Sequence, residues 1–302
     1  MKDIIVTGDG GGGYGAVCAC LVAEAEKQIG VPFRSFCKML SGTSTWALIA
    51  SALAAGLTGE QIILIYQNFT KDILNHGTAI ADVDVATRGY MFDSMNIKRV
   101  LHGQFGAAAT WTLNDSPIRL LLTAKSVNNH PWYFVCDNPM NKQKTGGLSM
   151  VECAAASAAA PWFFNAFKIT PTAKCDPGYC FDGGTGTAGN PVYQAGREAF
   201  EFDSFDPQNT ILRSFGTGYT VNTDKMPPNG ALPTIEWVVN ATVDAPIDQQ
   251  TQISMAMGWD VKRINWPRPT GTTAFDPSSI PALIAYGRKL APTINFKEFF
   301  GL

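Results

Sequence analysis

The feature that most constrains this chain is a loop of almost bare backbone between a strand and a helix. Ile4–Thr7 is a short β-branched run, and residues 8–15 read Gly-Asp-Gly-Gly-Gly-Gly-Tyr-Gly. Apolar Val17, Leu21, Ala25 and Ile29 then recur at four-residue spacing up to Gly30-Val31-Pro32. That spacing predicts a helix over residues 14–29, stopped by the glycine and proline that follow. A chain entering a helix through so many glycines brings unshielded N–H groups to the helix N-terminus, where negative charge is favoured.

The same alternation continues downstream. Phe33–Leu40 reads as a second strand leading into SGTSTW and the nearly all-apolar helix WALIASALAAG. Thr58-Gly59-Glu60-Gln61 has the form of a capping box opening a third helix, through about Thr70. Ile118–Ser126 and Trp132–Asp137 are apolar on both faces and read as central strands. Leu148–Ala160 is an Ala-rich helix ended by Pro161, and Tyr179–Asp182 and Thr210–Phe215 are strands running into glycine turns, with a helical Pro191–Phe202 between them. Strands alternating with helices predict a three-layer α/β/α sandwich with a mostly parallel central sheet. Residues 219–233 are rich in Pro, Gly and Asn, and Thr234–Met257 and Ser279–Ala291 look helical. The expected organisation is an α/β domain over 1–220 and a C-terminal helical extension, 221–302, packed on it.

Composition excludes more than it assigns. With 16% charged residues, a net charge of −2 and no basic run, the chain has no electrostatic footprint for nucleic acid. No stretch of 18 apolar residues suggests a membrane span, and the N-terminus lacks the pattern of a signal peptide, so a cytoplasmic protein is expected. Of the seven cysteines, only Cys175 and Cys180 are placed to pair across a short loop; the others lie in apolar stretches or strands.

The glycine loop admits two readings. G-x-G-x-x-G fits it as a dinucleotide cradle, but the second strand, PFRSFCKML, carries no acid to hold a ribose. In the other reading the N–H groups hold an oxyanion and serve a nucleophile. Gly42-Thr43-Ser44 sits between a strand and a buried helix, the setting in which G-x-S forms a nucleophile elbow. The histidines are His76, His102 and His130, and none follows residue 130, so a Ser, acid, His order using an acid of the second half cannot be written. An Asp placed against the serine is the alternative base, and Asp182, at a strand end before Gly183-Gly184, is the strongest candidate.

Together these blocks resemble the patatin-like phospholipases and lipid acyl hydrolases. Asp9–Gly15 resembles the family's D-G-G-G-x-R-G loop, Gly42–Trp46 its G-T-S-T-G elbow, and Ala156–Phe164 its A-S-x-A-A-P-x-x-F block. Asp182-Gly183-Gly184 with Asn190-Pro191 is similar to D-G-G/A…N-P, and Ser214–Gly218 to S-x-G-T-G. The five blocks span residues 4–218 in family order.

The resemblance implies an acyl ester hydrolase with a Ser-Asp dyad: Ser44 as nucleophile, Asp182 as base, the amides of Gly10, Gly11 and Gly12 as the oxyanion hole, and no cofactor or metal. Acyl esters, phospholipids among them, are the implied substrates, with transient membrane or micelle contact. Tyr14 stands where the family carries Arg or Lys, and Trp46 replaces the last glycine of the elbow. Both are candidates for the acyl-pocket wall, Trp46 having the core as its alternative. Asp9 is expected to fix the loop through bonds to backbone N–H groups. A lipid binder without catalysis that keeps the fold is the alternative of a different class.

Overall fold

The computed structural model describes residues 2–73, 88–141, 144–186, 188–220 and 248–302. Among these residues eight strands form a single sheet. Its parallel centre consists of β1 (Asp3–Gly8), β2 (Met39–Thr43), β3 (Arg119–Ser126), β7 (Thr210–Phe215) and β8 (Asp260–Ile264), in the spatial order β3-β2-β1-β7-β8. Three antiparallel partners lie at the β3 edge: β4 (Pro131–Val135), β5 (Phe167–Lys168) and β6 (Tyr179–Asp182).

Strand periodicity divides the core between two faces. Ile4 and Val6 of β1, Leu40 of β2, Leu120 and Leu122 of β3, and Ile211 and Phe215 of β7 point to one side. Their neighbours Ile5, Met39, Leu121 and Leu212 point to the other, as successive side chains in a strand must. The first face is covered by α1 (Gly15–Ile29), α2 (Thr45–Ala55), α3 (Gly59–Asp72), α4 (Met95–Gln104) and α5 (Met150–Ser157). Further along the chain come α6 (Val192–Arg197), the helix 248–256 (α7), α8 (Ile280–Leu290) and α9 (Phe296–Phe300). Val192, Ala195 and Ala199 of α6 and the π turn after it cover the second face, so helices lie on both sides of a mixed sheet.

Several local readings hold in detail. Gly30 closes α1 in the left-handed conformation at φ 87°. Thr58 and Gln61 form the reciprocal capping box at α3, with N···O distances of 2.9 and 3.3 Å.

Three readings change. The second strand starts at Met39, because Phe33–Ser35 is a 3-10 turn from which Phe33 and Phe36 pack on Phe300 of the C-terminal helix. The Trp132–Asp137 strand runs over Pro131–Val135 and pairs only with β3, so it is an edge rather than a central strand. The C-terminal region is not wholly helical, since Asp260–Ile264 joins the sheet beside β7. A five-residue strand carries too little periodicity to be seen without its partner. The predicted helical residues 234–247 lie outside the described residues. Among the described residues no helix is long and apolar enough to cross a membrane.

Candidate active site

The register of β3 brings two distant residues together. β2 pairs with β3 as far as Thr43↔Thr123, and β6 takes over with Asp182↔Ala124. β4 occupies Leu121–Lys125 and overlaps both partners, so β2 and β6 lie end to end along the same edge of β3. The chain leaving β2 at Ser44 therefore meets the chain leaving β6 at Asp182.

Ser44 is the residue between β2 and α2, with φ 55° and ψ −122°, a conformation that costs a non-glycine residue energy. Its N–H donates to Ser157 Oγ at 2.9 Å, and its carbonyl accepts from Ala47 and Leu48 in the first turn of α2. Gly42 is needed below it, because a side chain there would run into the Trp46 backbone.

Asp182 is held on several sides. Its N–H donates to Ala159 O at 3.0 Å, and its Oδ1 accepts from Gly184 N–H at 2.7 Å. The Ser44 hydroxyl lies near enough to the Asp182 carboxylate to favour its ionised form. Burial pushes this carboxyl up from 3.8 to about 6, against the opposing pull of the Ser44 hydroxyl and the Gly184 N–H. Gly183 must be bare, since a Cβ there would strike the Thr123 hydroxyl. That hydroxyl is bonded to Thr43 at 2.7 Å, which ties β2 and β3 together directly behind the two residues.

The glycine loop lies over Ser44: a Cβ on Gly10 would come within 3.2 Å of Ser44 Cβ. Gly10 differs from its neighbours, because its N–H already donates to Gly189 O at 2.9 Å while its carbonyl accepts from Thr217 Oγ1 at 2.6 Å. Gly13 N–H donates to Ala274 O at 2.6 Å. The N–H groups of Gly11 and Gly12 have no acceptor among the described residues. Of the three glycines expected from the sequence as oxyanion donors, Gly10 thus has its N–H in a backbone bond. Gly12 takes φ 54°, and a Cβ on it would press against Ala274 O at 2.7 Å.

The Asp9 carboxylate is held from the C-terminal region. Arg263 of β8 grips its carboxylate at two points, 3.0 and 2.5 Å, and also donates to Ser214 Oγ at 2.8 Å. Sequence reading missed Arg263, which only the pairing of β8 with β7 brings to this place.

Both candidate pocket-wall residues are buried. Trp46 is fully buried under β1, 5.1 Å from the Phe215 ring, in space that the bare Gly8 leaves open. Tyr14 is buried too, its hydroxyl donating to Thr272 O at 3.0 Å and its ring lying 4.6 Å from the Arg268 guanidinium. An arginine thus reaches position 14 from the C-terminal region, stacked on the residue that stands in the family's arginine place.

His102 and His130 are exposed, in contrast to the buried Ser44 and Asp182, and His76 lies outside the described residues. All seven cysteines are free thiols, Cys175 and Cys180 included. Among the described residues no group of three His, Cys, Asp or Glu side chains could hold a metal ion. Trp162 is half exposed and Trp266 is buried; Trp237 lies outside the described residues.

The fold is a mixed sheet with helices on both sides, in which a serine at a strained strand-to-helix turn lies beside a glycine loop. The sequence model described as patatin-like phospholipase matches residues 9–195, and the chain belongs to that family. It is 23% identical over 200 residues to a cGAMP-activated phospholipase of Escherichia coli (strain TW11681), covering 64% of this chain and 54% of the relative. It is 27% identical over 214 residues to a cUMP-AMP-activated phospholipase of Escherichia coli, covering 70% and 63%. The chain thus spans less than two thirds of these relatives' length. VipD from Legionella pneumophila is a similar solved structure, at TM-score 0.46 and 12% identity, covering 97% of this chain and 66% of that one.

Proposed function

We propose that this protein is a serine acyl hydrolase that cleaves carboxylic esters of lipids through an acyl-enzyme. Ser44 Oγ attacks the ester carbonyl, and Asp182 takes its proton directly. The tetrahedral oxyanion is held by the N–H groups of Gly11 and Gly12 at the start of the first helix, each such donor lowering the barrier by about 3 kcal/mol. Asp182 then returns the proton to the leaving alcohol, and water, deprotonated by the same carboxylate, releases the acid.

The observation that carries this reading is the placement of Ser44, at a strained strand-to-helix turn, beside the buried carboxylate of Asp182, whose pKa burial raises to about 6. A carboxylate at its ordinary pKa would be a weak base for a hydroxyl; desolvation raises its basicity while leaving it ionised at neutral pH. Phospholipids are the substrate class named for the relatives, and this chain's membership of the family supports the same class here.

The test is hydrolysis of p-nitrophenyl and phospholipid esters, with covalent labelling by a fluorophosphonate. Wild type reacts with both, while Ser44→Ala and Asp182→Asn lose hydrolysis in a folded protein and Ser44→Ala also loses the label. Retained turnover in Ser44→Ala refutes the assignment. A wild type that neither hydrolyses nor labels points to a lipid binder instead.

A further inference from the structure

The end of the sheet remote from Ser44 holds an open cavity with a buried arginine in its wall. β1, β7 and β8 begin side by side there, Ile4 paired with Ile211 and Ile211 with Asp260. The end of α9 forms another wall, where Gly301 turns left-handed at φ 69° and Leu302 N–H returns to Lys297 O at 2.9 Å. The cavity measures about 330 Å³, within the range of small-molecule sites. Ile5 is level with Met39, and Ile4 stands one residue before that pair, so about 20 Å of strand separates this cavity from Ser44.

Arg213 lines the cavity and is only 3% exposed. Its Nε donates to Phe299 O in the last turn of α9. Its Nη1 donates to Leu212 O at 3.0 Å and to both Asp260 O and Asp260 Oδ1 at 3.2 Å. Nη2 has no acceptor among the described residues. Buried donors almost always find an acceptor, and burial lowers the pKa of this guanidinium against the pull of Asp260. The open Nη2 therefore lacks the acceptor that its surroundings favour. Lys2 also lines the cavity, its ammonium 3.3 Å from Asp260 Oδ2.

The walls define the ligand by charge and by shape. Lys2 and Arg213 against the single carboxylate of Asp260 favour a monoanion, whereas a dianion would meet Asp260 at full repulsion. Ile4, Ile211, Phe300 and Leu302 supply apolar surface beside the cations. At about 30 Å³ each, roughly ten non-hydrogen atoms fill the space.

We propose that this cavity binds a carboxylate with a short aliphatic tail, the oxygens taken by Arg213 Nη2 and Lys2 Nζ and the tail laid on Ile4, Ile211 and Phe300. The proposal is independent of the assignment of Ser44.

The experiment is isothermal titration calorimetry of hexanoate, acetate, 1-hexanol and inorganic phosphate into the full chain, with wild type, Lys2→Ala, Arg213→Lys and Leu302→Trp each checked by thermal melting. Wild type is expected to bind hexanoate at one site with a Kd of about 1 mM or below. Acetate, which lacks the tail, and 1-hexanol, which lacks the charge, should each bind at least about tenfold more weakly. Arg213→Lys keeps the charge but loses the fork, and should weaken hexanoate about tenfold; Lys2→Ala should weaken it about threefold. Leu302→Trp changes an exposed wall residue, fills the cavity and should abolish binding, and it decides the matter if Arg213→Lys does not fold. No saturable hexanoate binding by folded wild type overturns the proposal. So does a wild-type affinity retained in the folded variants, which places the hexanoate elsewhere on the molecule. Acetate, 1-hexanol or phosphate binding as tightly as hexanoate overturns the ligand class.

Discussion

The carboxylate of Asp9 and the guanidinium of Arg263 form a buried two-point ion pair behind the glycine loop, across a sequence separation of 254 residues. A two-point grip fixes the orientation of the carboxylate as well as its distance, which a lysine could not do. It also cancels a negative charge next to the N–H groups proposed to receive an oxyanion.

Arg263→Met takes the guanidinium away from the buried Asp9 carboxylate. The expected loss is about 3–5 kcal/mol in urea unfolding. Adding Asp9→Asn to Arg263→Met should recover part of it, and Arg263→Lys should fall between wild type and Arg263→Met. Equal stability of wild type and Arg263→Met would remove the pair from any account of the loop.

The Asp182 carboxyl, at about 6 in the folded protein against an ordinary 3.8, makes two predictions of opposite sense. As a base it must be ionised, so kcat/KM should rise with pH through about 6 and level off above. For stability the folded state binds the proton more tightly than the unfolded one. The contribution of this group therefore falls as pH rises from 3.8 through about 6. At pH 8 the buried charge costs on the order of 3 kcal/mol. Asp182→Asn should thus melt higher than wild type at pH 8 and show little gain at pH 4, while having no activity at either.

Ser157 accepts the N–H of a residue held at positive φ. Ser157→Ala removes that acceptor, which should cost about 1–3 kcal/mol of stability. If the bond serves to position Ser44, kcat falls with KM nearly unchanged and fluorophosphonate labelling slows in parallel. A purely structural bond would lower the melting temperature without slowing the labelling of folded protein.

Gly8→Ala should be severely destabilising, because its Cβ would fall inside the Trp46 indole. Combining it with Trp46→Leu should restore soluble, folded protein. Were Trp46 instead a pocket wall, Trp46→Leu alone would change chain-length preference and rescue nothing.

How far the sequence reaches is clearest at β6. Tyr179–Asp182 has the strand bounds read from its residues, and the motifs single out Ser44 and Asp182, which the structure places near each other. What brings them together is the shared edge of β3, a relation between strands far apart in the chain. Local pattern is blind to it. Phe33–Leu40 misled for the same reason: its apolar residues are equally suited to a strand or to a turn, and Phe300, at the far end of the chain, decides between them. Trp46 could not be placed without knowing that Gly8 lies over it. Arg263 carries no motif, and nothing local distinguishes it among 23 lysines and arginines.

The family match ends at residue 195, yet the glycine loop is fastened by Arg263, Thr272 and Ala274. A fragment trimmed to the matched region would contain Ser44, Asp182 and the glycines at 10–13 and 15, but would expose the back of that loop to water. The reacting groups of this protein are consequently not portable: a graft or minimal enzyme built from them must bring along the strand and strap from the last fifty residues.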